Sequence, residues 1–88
     1  MYNYLDTDST IVAPATVMVI RLSGPRAVDI ADSLFRGRRP LASCEGYTLH
    51  YGRIVDEGNR VVDDVVVALF RAPHSYTGDD TVEITIHG

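Results

Sequence analysis

Glu83 stands in a segment, Thr81 to His87, where Val82, Ile84 and Ile86 alternate strictly with Thr81, Glu83, Thr85 and His87. That is the period of a strand with one face buried, so the carboxylate is expected on rigid backbone. Its two oxygens form a fork that suits a planar edge with two parallel N–H donors, such as an Arg guanidinium or the amino-pyrimidinone edge of a pterin. A solvated charge on an exposed strand face is the alternative. Arg21 is the second candidate: between Val17 and Leu22 it shares one face with Val17 and Val19 and opposes Met18, Ile20 and Leu22. A charge inside an apolar strand costs desolvation unless it is paired or reaches solvent. Pairing with Glu83 or Asp64 across a sheet would satisfy Arg21, and so would an anion site, because Arg recognises carboxylates bidentately.

The other polar residues point to structure more than to chemistry. His74, Ser75 and Tyr76 resemble a nucleophile beside a base, but neighbours in a turn rarely point the same way and no acid is placed to orient them. Ser75, Thr77, Asp79 and Asp80 can bond nearby backbone N–H groups, and Gly78 can supply positive φ. Two adjacent carboxylates lack the graded oxygen spacing of a calcium loop, and His50, His74 and His87 are not spaced as metal ligands, so no metal is expected. Neither GxxxxGK[ST] nor GxGxxG occurs, so the chain has no P-loop with which to hydrolyse GTP, and no complete catalytic constellation is visible.

These residues need elements to hold them. Thr10 to Ala13 reads as a short strand and Val17 to Leu22 as a longer one rich in β-branched residues. Ser23-Gly24-Pro25 stops that strand, with Ser23 placed as an N-cap. An amphipathic helix then spans about Pro25 to Phe35, with Ala27, Ile30, Ala31 and Leu34 as its core-facing stripe. Gly37, Pro40 and Gly46 bracket a loop. Tyr47 to Val55 and Arg60 to Phe70 read as strands joined by an Asp56-Glu57-Gly58-Asn59 hairpin turn. One helix covers a five-stranded sheet poorly, so a further covering element is expected from later sequence or another chain.

Eighty-eight residues with 45% hydrophobic content make one domain, residues 1–88, near the low end of what buries a sufficient core. The formal charge of -4 and a pI near 5.1 argue against a nucleic-acid surface, which needs clustered basic side chains. The one basic cluster, Arg36, Arg38 and Arg39, reads as a solvated loop that complements the helix C-terminal dipole. Cys44 is the only cysteine and reads as a bystander thiol in a reducing compartment. No apolar run approaches the roughly 18 to 20 residues that span a bilayer, and no signal-like leader precedes the domain, so a cytoplasmic location without membrane contact is expected.

Several motifs occur together in order: Thr10-Ile11-Val12-Ala13 with Ala15-Thr16, Ile20-Arg21-Leu22-Ser23-Gly24, Gly52-Arg53-Ile54, and Phe70-Arg71-Ala72-Pro73-His74-Ser75-Tyr76-Thr77-Gly78, followed by Val82-Glu83-Ile84 and His87-Gly88. In this the chain resembles the N-terminal domain of the bacterial and organellar tRNA-modification GTPases of the MnmE (TrmE) family. It departs from them in lacking a glycine-containing loop between Thr16 and Val17 and in carrying Asp79 where the family has Glu.

The resemblance implies an α+β fold with a mixed β-sheet, in the order two strands, a helix, three strands and a closing helix, related to the folate-binding domain of aminomethyltransferases. It implies a homodimer that binds 5-formyltetrahydrofolate through Arg21 and Glu83, with Glu83 accepting from the pterin N–H edge and Arg21 meeting an anionic or carbonyl group of the ligand. By the same resemblance, helical and GTPase domains follow Gly88. GTP, magnesium and potassium belong to the GTPase domain, a flavin-dependent protein is the partner in wobble-uridine modification, and tRNA is reached indirectly. The 88 residues themselves are expected to bind and not to catalyse. The alternatives are part of a folate-dependent aminomethyltransferase, or a purely structural dimerisation module.

Overall fold

The computed structural model describes residues 4–5, 11–12, 14–73 and 78–86. Strand β1 (Tyr4–Leu5) pairs antiparallel with β2 (Ile11–Val12) in a small sheet of its own. The main sheet comprises β3 (Met18–Ser23), β4 (Phe35–Gly37), β5 (Thr48–Val55), β6 (Val61–Phe70) and β7 (Thr81–Ile86), in the spatial order β3-β7-β6-β5-β4. Helix α1 (Ala27–Leu34) lies between β3 and β4 in sequence, and a single 3₁₀ turn spans Leu41–Ser43.

The domain is α+β, as expected, but every strand pair among the described residues is antiparallel, where a mixed sheet was expected. The connections explain this. The β5–β6 hairpin and the β6-to-β7 return join neighbours directly, whereas the one helical crossover carries the chain from one edge of the sheet, β3, to the other, β4. A parallel pair requires a helical crossover between adjacent strands, and none is present among the described residues.

Two further expectations are corrected. The five strands of the sheet include β4, which no sequence pattern signalled, and exclude Ile11–Val12, which pairs with β1 in residues to which no strand was assigned. The helix starts two residues later than expected, and Arg26 occupies the N-cap with no side-chain cap bond. Ser23 remains in β3 and shares a hydroxyl hydrogen bond of 3.2 Å with Thr81, so it is not a cap. Phe35 leaves the helix for β4.

The core forms between α1 and one face of the sheet. It contains Ala27, Val28, Ala31 and Phe35 from the helix side, Val65, Val67 and Leu69 from β6, Val82 and Ile84 from β7, and Leu41 and Cys44 from the strap that follows β4. The helix therefore presents its small residues to the sheet, while Ile30 and Leu34, expected in the core, are 42% and 38% exposed. Phe35 accounts for the rotation. Its ring lies so close over Gly52 that a Cβ there would sit 2.6 Å from the ring carbons and clash with the Arg36 carbonyl, so the Phe35 side chain and the end of α1 settle together onto β5.

The hairpin turn behaves as read. Asn59 holds φ at 62°, and the Asp56 carboxylate accepts from the backbone of Gly58 and Arg60, each at 2.9 Å. Among the described residues no helix is long and apolar enough to cross a membrane.

Candidate functional site

Antiparallel pairing of β3 with β7 sets Arg21 directly opposite Glu83, and pairing of β7 with β6 sets Glu83 opposite Ala68. Because strand side chains alternate, Val82 and Ile84 enter the core and Glu83 projects from the opposite, helix-free face. The same period places Val19, Thr85 and Val66 in the next row of that face, and Ser23, Thr81 and Phe70 in the row on the other side, where Tyr47, just before β5, meets Phe70.

Sequence reasoning named both candidate residues, and the fold brings them together. Arg21 donates from Nε to Glu83 Oε2 at 2.8 Å, and its NH2 nitrogen lies 2.7 Å from the same oxygen. The Arg21 side chain is 58% exposed and that of Glu83 19%, so the carboxylate is largely withdrawn from water while the guanidinium remains reachable. Such a charge-assisted pair fixes the carboxylate in one orientation. Asp64, the other partner considered for Arg21, instead faces Arg53 at 3.5 Å.

The rows beside the pair are built from rings and hydroxyls. Phe70 and Tyr47 meet edge to face with centroids 5.8 Å apart and ring planes at 88°. Thr81 is fully buried, and its hydroxyl is satisfied by Ser23. This corrects the expectation that Thr81 lies on an open polar face. No buried side-chain nitrogen or oxygen among the described residues lacks a hydrogen-bond partner.

The acidic loop that precedes β7 is closed at its base by a clamp. Asp80 accepts the Ala72 backbone N–H at 2.9 Å and lies 3.4 Å from the Arg71 guanidinium, while the Asp80 carbonyl accepts from Gly24. Arg71 also donates to the carbonyls of Leu41, Ala42 and Cys44 at 3.0 to 3.3 Å. The local role read for Asp80 and the positive φ expected at Gly78, 82°, are both present. Sequence reasoning missed Arg71, whose only signal was its place between the end of a strand and a turn-rich loop. His74, Ser75, Tyr76, Thr77 and His87 lie outside the described residues.

Cys44 is buried, with its thiol 3.3 Å from the Pro40 carbonyl and 3.8 Å from His50 Nδ1. His50 Nε2 in turn lies 2.7 Å from the Thr48 hydroxyl. Of the basic cluster, Arg36 does donate to the carbonyls of Ser33 and Phe35 at the end of α1. Among the described residues no group of three His, Cys, Asp or Glu side chains is arranged to hold a metal ion.

Comparison with known proteins places this geometry in context. The family model described as "GTP-binding protein TrmE N-terminus" matches residues 7–88. A Parabacteroides distasonis protein named tRNA modification GTPase MnmE is 47% identical over 91% of this chain and 19% of its own length. Proteins of the same name from Staphylococcus haemolyticus and Bacillus subtilis are 39% and 41% identical over 99% and 96% of the chain. The chain spans about a fifth of the length of these curated relatives.

Proposed function

This chain belongs to the TrmE N-terminal family, and on that premise we propose that it is the 5-formyltetrahydrofolate-binding and dimerisation domain of a cytoplasmic tRNA-modification GTPase. The observation that carries the reading is the Arg21–Glu83 pair, held in strand register on the face that α1 leaves open. Glu83 accepts two parallel N–H bonds from the pterin edge, and Arg21 fixes that carboxylate and turns its exposed side toward an anionic or carbonyl group of the ligand. A folded-in carboxylate of fixed orientation favours this over a solvated charge.

Dimerisation rests on β3. It is an edge strand whose Met18, Val19 and Ile20 are exposed, on both faces, as is Val17 just before it, and a long apolar edge calls for a partner. For the whole protein, the relatives' name, tRNA modification GTPase, supports GTP hydrolysis in tRNA modification, and the family resemblance alone supports magnesium, potassium and a flavin-dependent partner. The family match favours this over an aminomethyltransferase.

The test is calorimetric titration with 5-formyltetrahydrofolate, at a concentration where light scattering reports twice the chain mass. Glu83→Gln keeps the shape and removes the charge. It should weaken binding about 10- to 100-fold, the cost of a hydrogen bond to a charged acceptor. Undiminished binding would remove Glu83 from the site, and a monomer mass at high concentration would remove the dimer.

A further inference from the structure

We propose, resting on the tRNA-modification reading above, that the β4–β5 edge of the sheet is a contact surface for the phosphate backbone of the RNA substrate, with Tyr51 stacking on a base. All eight basic residues of the chain are Arg. Four of them, Arg36, Arg38, Arg39 and Arg53, gather at this one edge, although the chain as a whole is acidic.

Arg36 and Arg53 stand directly opposite each other across β4 and β5. Like charges in that position are destabilising. Among the described residues Arg36 is relieved only by neutral carbonyls, which leave its charge unbalanced, and Arg39 likewise bonds the Ser43 carbonyl. Arg38 makes no hydrogen bond or ion pair among the described residues. The acids nearby are engaged: Asp64 with Arg53, and Asp32 with the backbone N–H groups of Leu41 and Ala42.

The shape fits the charge. β4 ends at Gly37, opposite Gly52, so the stretch from Leu49 to Tyr51 has no strand beside it on that side. A concavity of about 590 Å³ forms there between Phe35, Arg38, Arg39, Leu49, His50 and Tyr51. A second, of about 480 Å³, adjoins it and includes Arg36, Arg53 and Asp64. Arg38 and Tyr51 border both, and Tyr51 is 72% exposed. Three guanidinium groups without a carboxylate partner among the described residues, Arg36, Arg38 and Arg39, with the ion-paired Arg53 beside them, lie along a groove around an open aromatic ring and match the way unpaired nucleotides are held, by backbone charge and base stacking. An acidic protein surface would not need the ring.

The experiment uses the intact protein and a fluorescently labelled, unmodified tRNA, with anisotropy followed from about 50 to 200 mM salt. Arg36→Ala with Arg38→Ala should weaken binding about tenfold and flatten the salt slope by about two, one for each phosphate left without its guanidinium. The charge-matched pair Arg26→Ala with Arg60→Ala, away from this edge, should leave binding within about twofold of wild type. Tyr51→Ala should cost about fivefold, with Tyr51→Phe close to wild type, because stacking needs the ring and not the hydroxyl. Arg38→Gln alone removes a side chain without intramolecular bonds and keeps the test available should the double variant unfold.

Equal losses in the two charge-matched pairs, or no effect of Tyr51→Ala, would overturn the proposal. Loss of affinity for polyglutamate in parallel with tRNA, independent of Tyr51, would assign the edge to an acidic partner and overturn it too. A wild-type protein that retains no tRNA would also overturn it, while the folate reading would stand or fall separately by calorimetry.

Discussion

At the scale of single residues, Arg71 and Glu83 show two uses of a buried or half-buried charge. Glu83 is fixed by the exposed Arg21 guanidinium on the helix-free face, whereas Arg71 is consumed internally, its planar fork reaching three carbonyls and Asp80 at once. A Lys ammonium cannot span those acceptors. Arg71→Lys should therefore cost about 1 to 3 kcal/mol, and each kcal/mol corresponds to a fall in Tm of about 4 to 8 °C for a domain of this size. A calorimetric or circular-dichroism melt that matched wild type would show that the clamp does not hold the strap and the loop together. The contrast explains what was legible. Arg21 was visible because it interrupts an apolar strand, where a charge must be paired or used, and Glu83 because strict alternation sets its carboxylate on the polar face of a strand. Arg71 interrupts nothing, since its partners are backbone carbonyls 27 to 30 residues away, and carbonyls leave no mark in a sequence.

At the scale of elements, β6 and β7 were legible because their composition and period answer to local rules. The β4 strand was not, because its three residues form a strand only by virtue of their register with β5. The stripe on α1 was half right for a related reason. Ala27 and Ala31 are buried as read, but Val28 and Phe35 take the places assigned to Ile30 and Leu34, and what chooses between them is the glycine pair 37 and 52 that lets the Phe35 ring lie against the sheet. Helical period alone fixes a face to within one residue's rotation, and tertiary contact sets the rest. Gly52→Ala should accordingly force the ring and the Arg36 carbonyl to move, at a cost of about 1 to 3 kcal/mol from overpacking. Urea unfolding with an unchanged midpoint would mean that the Phe35 seat does not govern how the helix sits.

At the scale of the whole molecule, the sheet has two faces and two edges with different work. The helix covers one face and makes the core. The other face carries the Arg21–Glu83 pair, the β3 edge is apolar, and the β4–β5 edge gathers half of the arginines. Net charge, read from composition, hid that last division, because a sum over the chain carries no information about placement. The fold class was readable from the order of elements, but the antiparallel character of the sheet came from which strands the crossover joins, and that is a property of the assembled chain. Where the ligand lies decides whether Arg21 and Glu83 form its site. The most direct measurement is a crystal structure of the intact protein grown with saturating 5-formyltetrahydrofolate. The pterin edge should lie within about 3.2 Å of the Glu83 carboxylate oxygens, hydrogen-bond distance, on the face opposite α1 and with Arg21 beside it. A well-ordered protein with the folate bound elsewhere, or with no folate bound at all, would contradict it.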